Sequence, residues 1–282
     1  MKTIGKLIAV AAAVVTMGGA AAAQSKITLA IGGAGCLCYL PTVLTKQLGN
    51  FEKAGLDVEM VNFKGGSQAL KAVIGGSADV VSGYFDHTVA LAAKGQKLKA
   101  IVVYDRYPGL VIVVSPNQTG KINTVADLKG KTVGISAPGS STDYFLKYEL
   151  QQAGLERDAA AVIGVGLGGT AIYTKATWID AHPEEAQALA SAVVATLKWI
   201  HSHTPEEIME QMPAEMVGND KAAYLAALKN TLPMFSETGM MDPKGAEAVL
   251  KVFSAGDPAV AAANIEITDT YTNAFVEKAN AK

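Results

Sequence analysis

The chain has 282 residues, and half of its side chains are apolar. Its 24 Lys and Arg stand against 26 Asp and Glu, a formal charge of −2, which argues against nucleic acid as a partner. Only two arginines are present, Arg106 and Arg157, so an arginine-built phosphate site is excluded as a main theme.

Residues 1–23 read as a cleavable leader. Lys2 and Lys6 form a basic start, Leu7 to Met17 an apolar run, and Ala21-Ala22-Ala23 an A-x-A cleavage site that leaves Gln24 as the new N-terminus. Loss of the two lysines makes the mature chain two charges more negative. No later segment reaches about 18 unbroken apolar residues. The expectation is an exported, soluble, periplasmic protein, long enough for one large or two modest lobes.

From Lys26 the pattern alternates strand and helix. "KITLAIGG" is a strand, "LPTVLTKQLGNFEKAG" a helix ending at Gly55, and "LDVEMVNF" an alternating strand. "GGSQALKAVIGG" is a helix with Ser67 as cap, "ADVVSG" a strand, "DHTVALAAKG" a helix with Asp86 as candidate cap, and "LKAIVVY" a strand. Pro108-Gly109 breaks the rhythm, and a new strand is expected in "RYPGLVIVVSP". "TVADLKG" is a short helix with a Thr124…Asp127 capping pair. "KTVGIS" is a strand, "STDYFLKYELQQAG" a helix and "AVIGVG" a strand. From Trp178 onward the chain reads as nearly all helix, with an apolar stripe in "PEEAQALASAVVATLKWIHSH" and a capping box at Thr204-Pro205-Glu206-Glu207. Such alternation implies a mostly parallel sheet covered on both faces.

In open α/β sheets, ligands bind at the carboxyl ends of the strands. The loops there are "GGAGCLCYLP", "KGGS", "SGYFDHT" and "APGSST". Each carries glycine or serine, and Tyr39, Tyr84 and Phe85 add aromatic walls, a pattern of a ligand cleft more than of a catalytic constellation. In the last loop, Gly139, Ser140, Ser141 and Thr142 open a helix. Either one hydroxyl caps that helix and the rest are solvated, or the turn holds the polar or anionic head of a ligand.

Enzyme readings are weak. "GISAPG" has one residue too many for a nucleophile elbow. Ser82, Asp86 and His87 are triad residue types, but His87 follows a helix start and reads as a cleft residue. "GVGLGG" at 164–169 is a bare glycine cluster, and "HSH" at 201–203 lacks further metal ligands. Cys36 and Cys38 read as two small apolar loop residues, since a bridge two residues apart cannot be assumed and a metal site would need more ligands. No metal and no cofactor is expected.

"YLPTVLTKQLGNFEKAGLDVEMVNFKGGSQALKAVIGGSADVVSG", "VADLKGKTVGISAPGSST" and "NTLPMFSETGMMDPKGAEAVLKVF" resemble, in that order, the periplasmic substrate-binding proteins of ABC importers. The branch resembled is the nitrate/sulfonate/taurine type with the related thiamine-pyrimidine binders. The resemblance implies a two-lobed, hinged α/β binding protein of type II-like fold, with mostly parallel sheets and a helical C-terminal segment. It places residues 24–108 and 201–282 in a first lobe and residues 109–200 in a second. It implies a cleft at Tyr39, Gly66, Ser67, Ser82, Gly83, Tyr84, His87, Gly139, Ser140, Ser141 and Thr142, and no enzyme activity. The partners implied are a small polar or anionic solute and the importer's permease and ATPase, with the receptor a monomer. The alternative is a sensor or degenerate paralogue that keeps the first lobe. "GVGLGG" runs directly into "TAIYTKATWIDAHPEEAQAL", so a piece larger than one βαβ unit is absent near residues 169–170 relative to that pattern. The second lobe is therefore expected to be small, with exposed apolar surface.

Overall fold

In the computed structural model, residues 24–106, 112–136, 138–164 and 171–281 are described. The expected leader, the break at Pro108-Gly109 and the glycines at 166–169 lie outside them. The main sheet has β1 (Ser25–Ile31), β2 (Leu56–Asn62), β3 (Val80–Gly83), β4 (Leu98–Val103) and β7 (Ala171–Lys175), in the order β2-β1-β3-β7-β4. β1 pairs in parallel with β2 and β3, whereas β7 runs antiparallel to both β3 and β4. All four early strands therefore end at the same edge. The strand order reverses at β1, between β2 and β3, and that is where a crevice opens in such sheets.

Helices cover both faces. α1 (Leu40–Gln47) and α2 (Asn50–Lys53) form where one helix was expected, because the chain turns through a left-handed Gly49 between them. α3 (Gly66–Gly75) and α4 (Asp86–Ala92) follow β2 and β3. Ser67 and Asp86 are not the caps expected of them, since both lie inside their helices and Gly65 and Phe85 take the cap positions. The small unit holds β5 (Thr132–Ile135), α5 (Ser141–Gln152) and β6 (Ala161–Gly164), with β5 and β6 paired in parallel. The capping pair ahead of it forms: the Thr124 N–H and hydroxyl both donate to Asp127 Oδ2, at 2.9 and 3.0 Å. Residues 112–115, part of an expected strand, form none.

After β7 come α6 (Ala176–Ala181), α7 (Pro183–Ser202), α8 (Pro205–Glu210), α9 (Ala214–Val217), α10 (Lys221–Thr231), α11 (Pro243–Gly256), α12 (Pro258–Ala262) and α13 (Ala274–Asn280). α7 buries Ala186, Leu189, Ala190, Val193, Leu197 and Ile200 at helical spacing, against Leu29, Ile31, Leu44 and Phe51. On the other sheet face Ala69, Val73, Val89 and Phe253 close a second core. β7 and α7 thus belong to the main sheet and its cores, although residues up to 200 were expected in the second lobe. β7 also makes the segment before Trp178 a strand and the sheet mixed. The small unit has its own core of Leu128, Ile135, Leu146, Leu150 and Ala160. Among the described residues, three of the four exposed large apolar side chains, Ile112, Val113 and Val162, lie on this unit or its entry.

The loop at Ser236–Gly239 secures the end of β4. The Gly239 carbonyl accepts from Val103 N–H at 2.8 Å, and its own N–H donates to Ser236 Oγ at 2.9 Å. Gly239 has φ +73°, and a Cβ there would stand 2.8 Å from Val102 Cγ2. Gly120 has φ +76° but open space. Gly239→Ala should cost about 3 kcal/mol, left-handed strain plus overpacking, whereas Gly120→Ala should cost about 1 kcal/mol of strain alone. Urea denaturation of the two variants measures the difference.

Candidate functional site

Tyr39 follows β1, Tyr84, Asp86 and His87 follow β3, and Asp105 follows β4, so five polar side chains lie just past the carboxyl ends of three strands at one sheet edge. Two glycines let them approach. A Cβ on Gly32 would come within 2.6 Å of the Gly66 backbone and 2.9 Å of Tyr39 Oη, and a Cβ on Gly66 would come within 2.7 Å of His87 Cε1. Gly83 performs the same role for Tyr173, whose Oη would lie 2.7 Å from a Cβ there. Tyr39, Tyr84, Asp86 and His87 are all buried. Cys36 and Cys38, expected as unpaired apolar residues, are joined in a disulfide immediately before Tyr39. The turn that brings their Cα atoms to 5.2 Å makes the bridge possible, and a spacing rule cannot show such a turn.

Much of the hydrogen-bonding capacity here is unused. Among the described residues, Tyr39 Oη, Tyr84 Oη, Asp86 Oδ2, His87 Nε2 and both Asp105 carboxylate oxygens are buried without a hydrogen-bond partner. Buried polar groups are otherwise nearly always paired, so this concentration at one edge marks a place for a ligand or water. Burial, with Asp86 and Asp105 nearby, holds the Tyr39 and Tyr84 phenols above their ordinary value, so they stay neutral. Burial raises Asp86, against opposing contributions from His87 and the Ser141 hydrogen bond, and raises Asp105 well above the carboxylate range. Burial lowers His87, with Asp86 opposing.

The other expected residues divide. Ser82 Oγ bonds Thr42 Oγ1 at 2.7 Å, and Thr42 Oγ1 also donates to Tyr104 Oη at 2.7 Å. His87 Nδ1 pairs with Tyr173 Oη at 2.8 Å. Ser82 and His87 thus point to different partners and do not assemble a triad. Ser67 is only half-buried on α3. In the 139–142 turn, Gly139 takes φ +74° and its N–H donates to Asp143 Oδ2 at 2.8 Å. Ser136 Oγ donates to Ser140 Oγ at 2.6 Å, and Thr142 Oγ1 accepts from Ser136 N–H at 2.7 Å. These hydroxyls bond one another, so Ser140 needs no helix-capping bond and makes none. Ser141 crosses between the units, donating to Asp86 Oδ1 at 2.7 Å. The ring of Phe145 on α5 lies 6.4 Å from that of Tyr84, and Tyr144 packs on Phe253 at 4.5 Å. α5 therefore roofs the polar edge.

Asp105 is the residue that the sequence reading passed over. It ends "LKAIVVYD" at a strand's carboxyl end, the same positional signal that selected the others.

Residues 39–171 match the family described as NMT1/THI5 like, and a solved structure from Bordetella bronchiseptica RB50 shares 31% identity at TM-score 0.88, covering 92% of this chain and 98% of that one. The chain belongs to the NMT1/THI5-like family. The alkanesulfonate-binding protein SsuA from Xanthomonas axonopodis pv. citri, bound to MOPS, has the same fold at TM-score 0.68 and 15% identity, covering 90% and 100% of the two chains. The periplasmic nitrate-binding protein NrtA from Synechocystis PCC 6803 has it at TM-score 0.60 and 13% identity, covering 92% and 89%. No curated protein matches the chain significantly. The fold of this family member is that of periplasmic binding proteins, as the resemblance implied.

Ser141→Ala removes a buried donor to a carboxylate and should cost about 2 kcal/mol in urea denaturation, whereas Ser67→Ala should stay within about 0.5 kcal/mol. Asp105 takes up its proton more readily folded than unfolded. As pH rises from the ordinary carboxylate range through the raised folded value, the folded state keeps a proton that the unfolded state has lost, and stability falls. Asp105→Asn should remove that part of the fall and make the ligand-free protein more stable than wild type at neutral pH, as read from thermal melts across pH.

Proposed function

We propose that the chain is the solute receptor of an ABC-type importer. In this reading it captures a small polar solute between the main sheet edge and α5 and delivers it to a permease and its ATPase. The observation that carries it is the set of buried, unpartnered atoms of Tyr39, Tyr84, Asp86, His87 and Asp105 under the α5 roof. The fold shared with SsuA and NrtA, described as alkanesulfonate- and nitrate-binding proteins, supports the receptor role over an enzymatic one. The leader at residues 1–23 supports export to the periplasm, and a monomer fits a receptor that must dock on a permease.

The ligand-facing residues in this reading are Tyr39, Tyr84 and His87, with Gly66 and Gly83 providing room and Ser141 closing the roof. Ser82, Ser140 and Thr142 shape it from behind, and Gly139 and Ser67 lie at its margin. A second reading, a sensor or degenerate paralogue, draws on the two-stranded small sheet and the exposed Ile112, Val113 and Val162.

Thermal-shift screening of the mature protein with small polar solutes, followed by calorimetry, tests the receptor. At least one solute should bind in the micromolar range or tighter, and Tyr39→Phe should weaken it at least tenfold while leaving the ligand-free melt nearly unchanged. Uptake of that solute should fall in cells that lack the protein. Binding without an uptake defect would favour the sensor.

A further inference from the structure

We infer that Tyr173 sets the ring of His87 so that Nε2 carries the proton, and that the chamber therefore grips its solute by an oxygen that only accepts hydrogen bonds, at the start of α3. This names a positioning residue and the chemistry it selects, and it rests on the receptor reading.

The pairing fixes the tautomer. His87 Nδ1 and Tyr173 Oη lie 2.8 Å apart, and both residues are buried. Burial disfavours the charged form of each, so the phenol keeps its proton and the imidazole holds one. If Nδ1 donated to Tyr173 Oη, the phenol proton would need an acceptor of its own. Among the described residues Tyr173 Oη has no second hydrogen-bond partner, and Nε2 would be left as a buried, unused acceptor besides. If the phenol donates to Nδ1, the Nε2–H alone is left over. The second arrangement strands fewer buried groups and is the stable one, because the bond at one ring nitrogen decides the state of the other. Gly83 permits it. A Cβ there would stand 2.7 Å from Tyr173 Oη, so a side chain at this position would push the phenol off His87.

The Nε2–H then lies beside the start of α3. A Cβ on Gly66 would be 2.7 Å from His87 Cε1 and 3.8 Å from Nε2, and a Cβ on Gly32 would be 2.6 Å from Gly66 N and 2.9 Å from Tyr39 Oη. The His87 ring edge, the Tyr39 hydroxyl and the Gly66 N–H thus gather round one residue. α3 has ten residues and no side chain caps it, so its first N–H groups lie open at the positive end of the helix. Tyr39 Oη and His87 Nε2 are buried and without a hydrogen-bond partner among the described residues. An imidazole N–H, a phenol O–H and a helix-start N–H are all donors. An oxygen with only lone pairs, in a carboxylate, a sulfonate or a carbonyl, satisfies every one of them, whereas an ammonium can use the phenol oxygen alone. The unpartnered Asp86 Oδ2 disfavours a charged occupant and the helix start favours one, so the probes include both kinds.

Long-range proton–nitrogen NMR correlation of the mature protein, labelled in its histidines and free of solute, reads the tautomer at neutral pH, with His87→Gln to assign the signals. His87 should carry its proton on Nε2, and Tyr173→Phe should move the Nδ1 resonance to that of an unbonded ring nitrogen. A proton on Nδ1 in the wild type overturns the inference, and so does a spectrum that Tyr173→Phe leaves unchanged. Should that variant fail to fold, the wild-type spectrum decides alone. Calorimetric titration with butyrate, butanesulfonate and butyramide, against n-butylamine, reads the selectivity. At least one of the three acceptors should bind at least tenfold more tightly than the amine, and Tyr173→Phe should weaken it at least tenfold. An oxyanion as the tightest probe assigns a charged oxygen, the amide a carbonyl, and either upholds the inference. The amine as the tightest probe overturns the acceptor site and leaves the receptor standing. A wild-type protein that binds none of the four overturns the acceptor site as well, and the uptake assay then judges the receptor separately.

Discussion

The hydrogen bond from Ser141 to Asp86 joins the two units at the point where their chemistry meets. Both groups are buried, so the bond forms in a medium where an unpaired carboxylate oxygen would be costly. It ties the first turn of α5 to the start of α4, just past the carboxyl end of β3. From there Tyr144 packs at a tilt on Phe253 of α11, and Phe145 lies tilted beside Tyr84. The Ser141 bond and the packing of Tyr144 on α11 together hold α5 against the main sheet unit.

Close approach at this edge depends on glycine. Gly32 and Gly66 bring two loops together more closely than any side chain would allow, and the same approach sets Tyr39 Oη and the His87 ring beside them. The polar edge is therefore built by removing side chains as much as by adding them. The disulfide between Cys36 and Cys38 holds the loop just before Tyr39, so the phenol is delivered from a constrained turn.

Groups that lack partners weaken a fold, and here they concentrate where two well-packed cores can tolerate them. α7 and its partners pack one sheet face with continuous apolar stripes, and α3, α4 and α11 pack the other. The small unit lacks that reserve. Its core has five buried residues, and its apolar side chains reach the surface. Its packing on the rest of the chain runs mainly through α5 against α11.

The alternation of strands and helices was legible in the sequence because its period is local. β1, β2, β3, β4, α3, α5 and the stripe of α7 need only neighbouring residues to declare them, and so do the capping pairs at Thr124 and Thr204. The strand-end rule likewise placed Tyr39, Tyr84 and His87 at one edge. What local pattern could not show was decided by distance in space. β7 is five residues whose strand character depends on a slot between β3 and β4, so residues 171–202 join the main sheet only in the tertiary structure. The bridge between Cys36 and Cys38 depends on the turn between them. The hydroxyls of Ser140 and Thr142 find Ser136, Ser141 finds Asp86, and the Asp105 carboxylate finds no hydrogen-bond partner among the described residues, because hydrogen bonds and ion pairs are settled by which atoms the packed chain brings together.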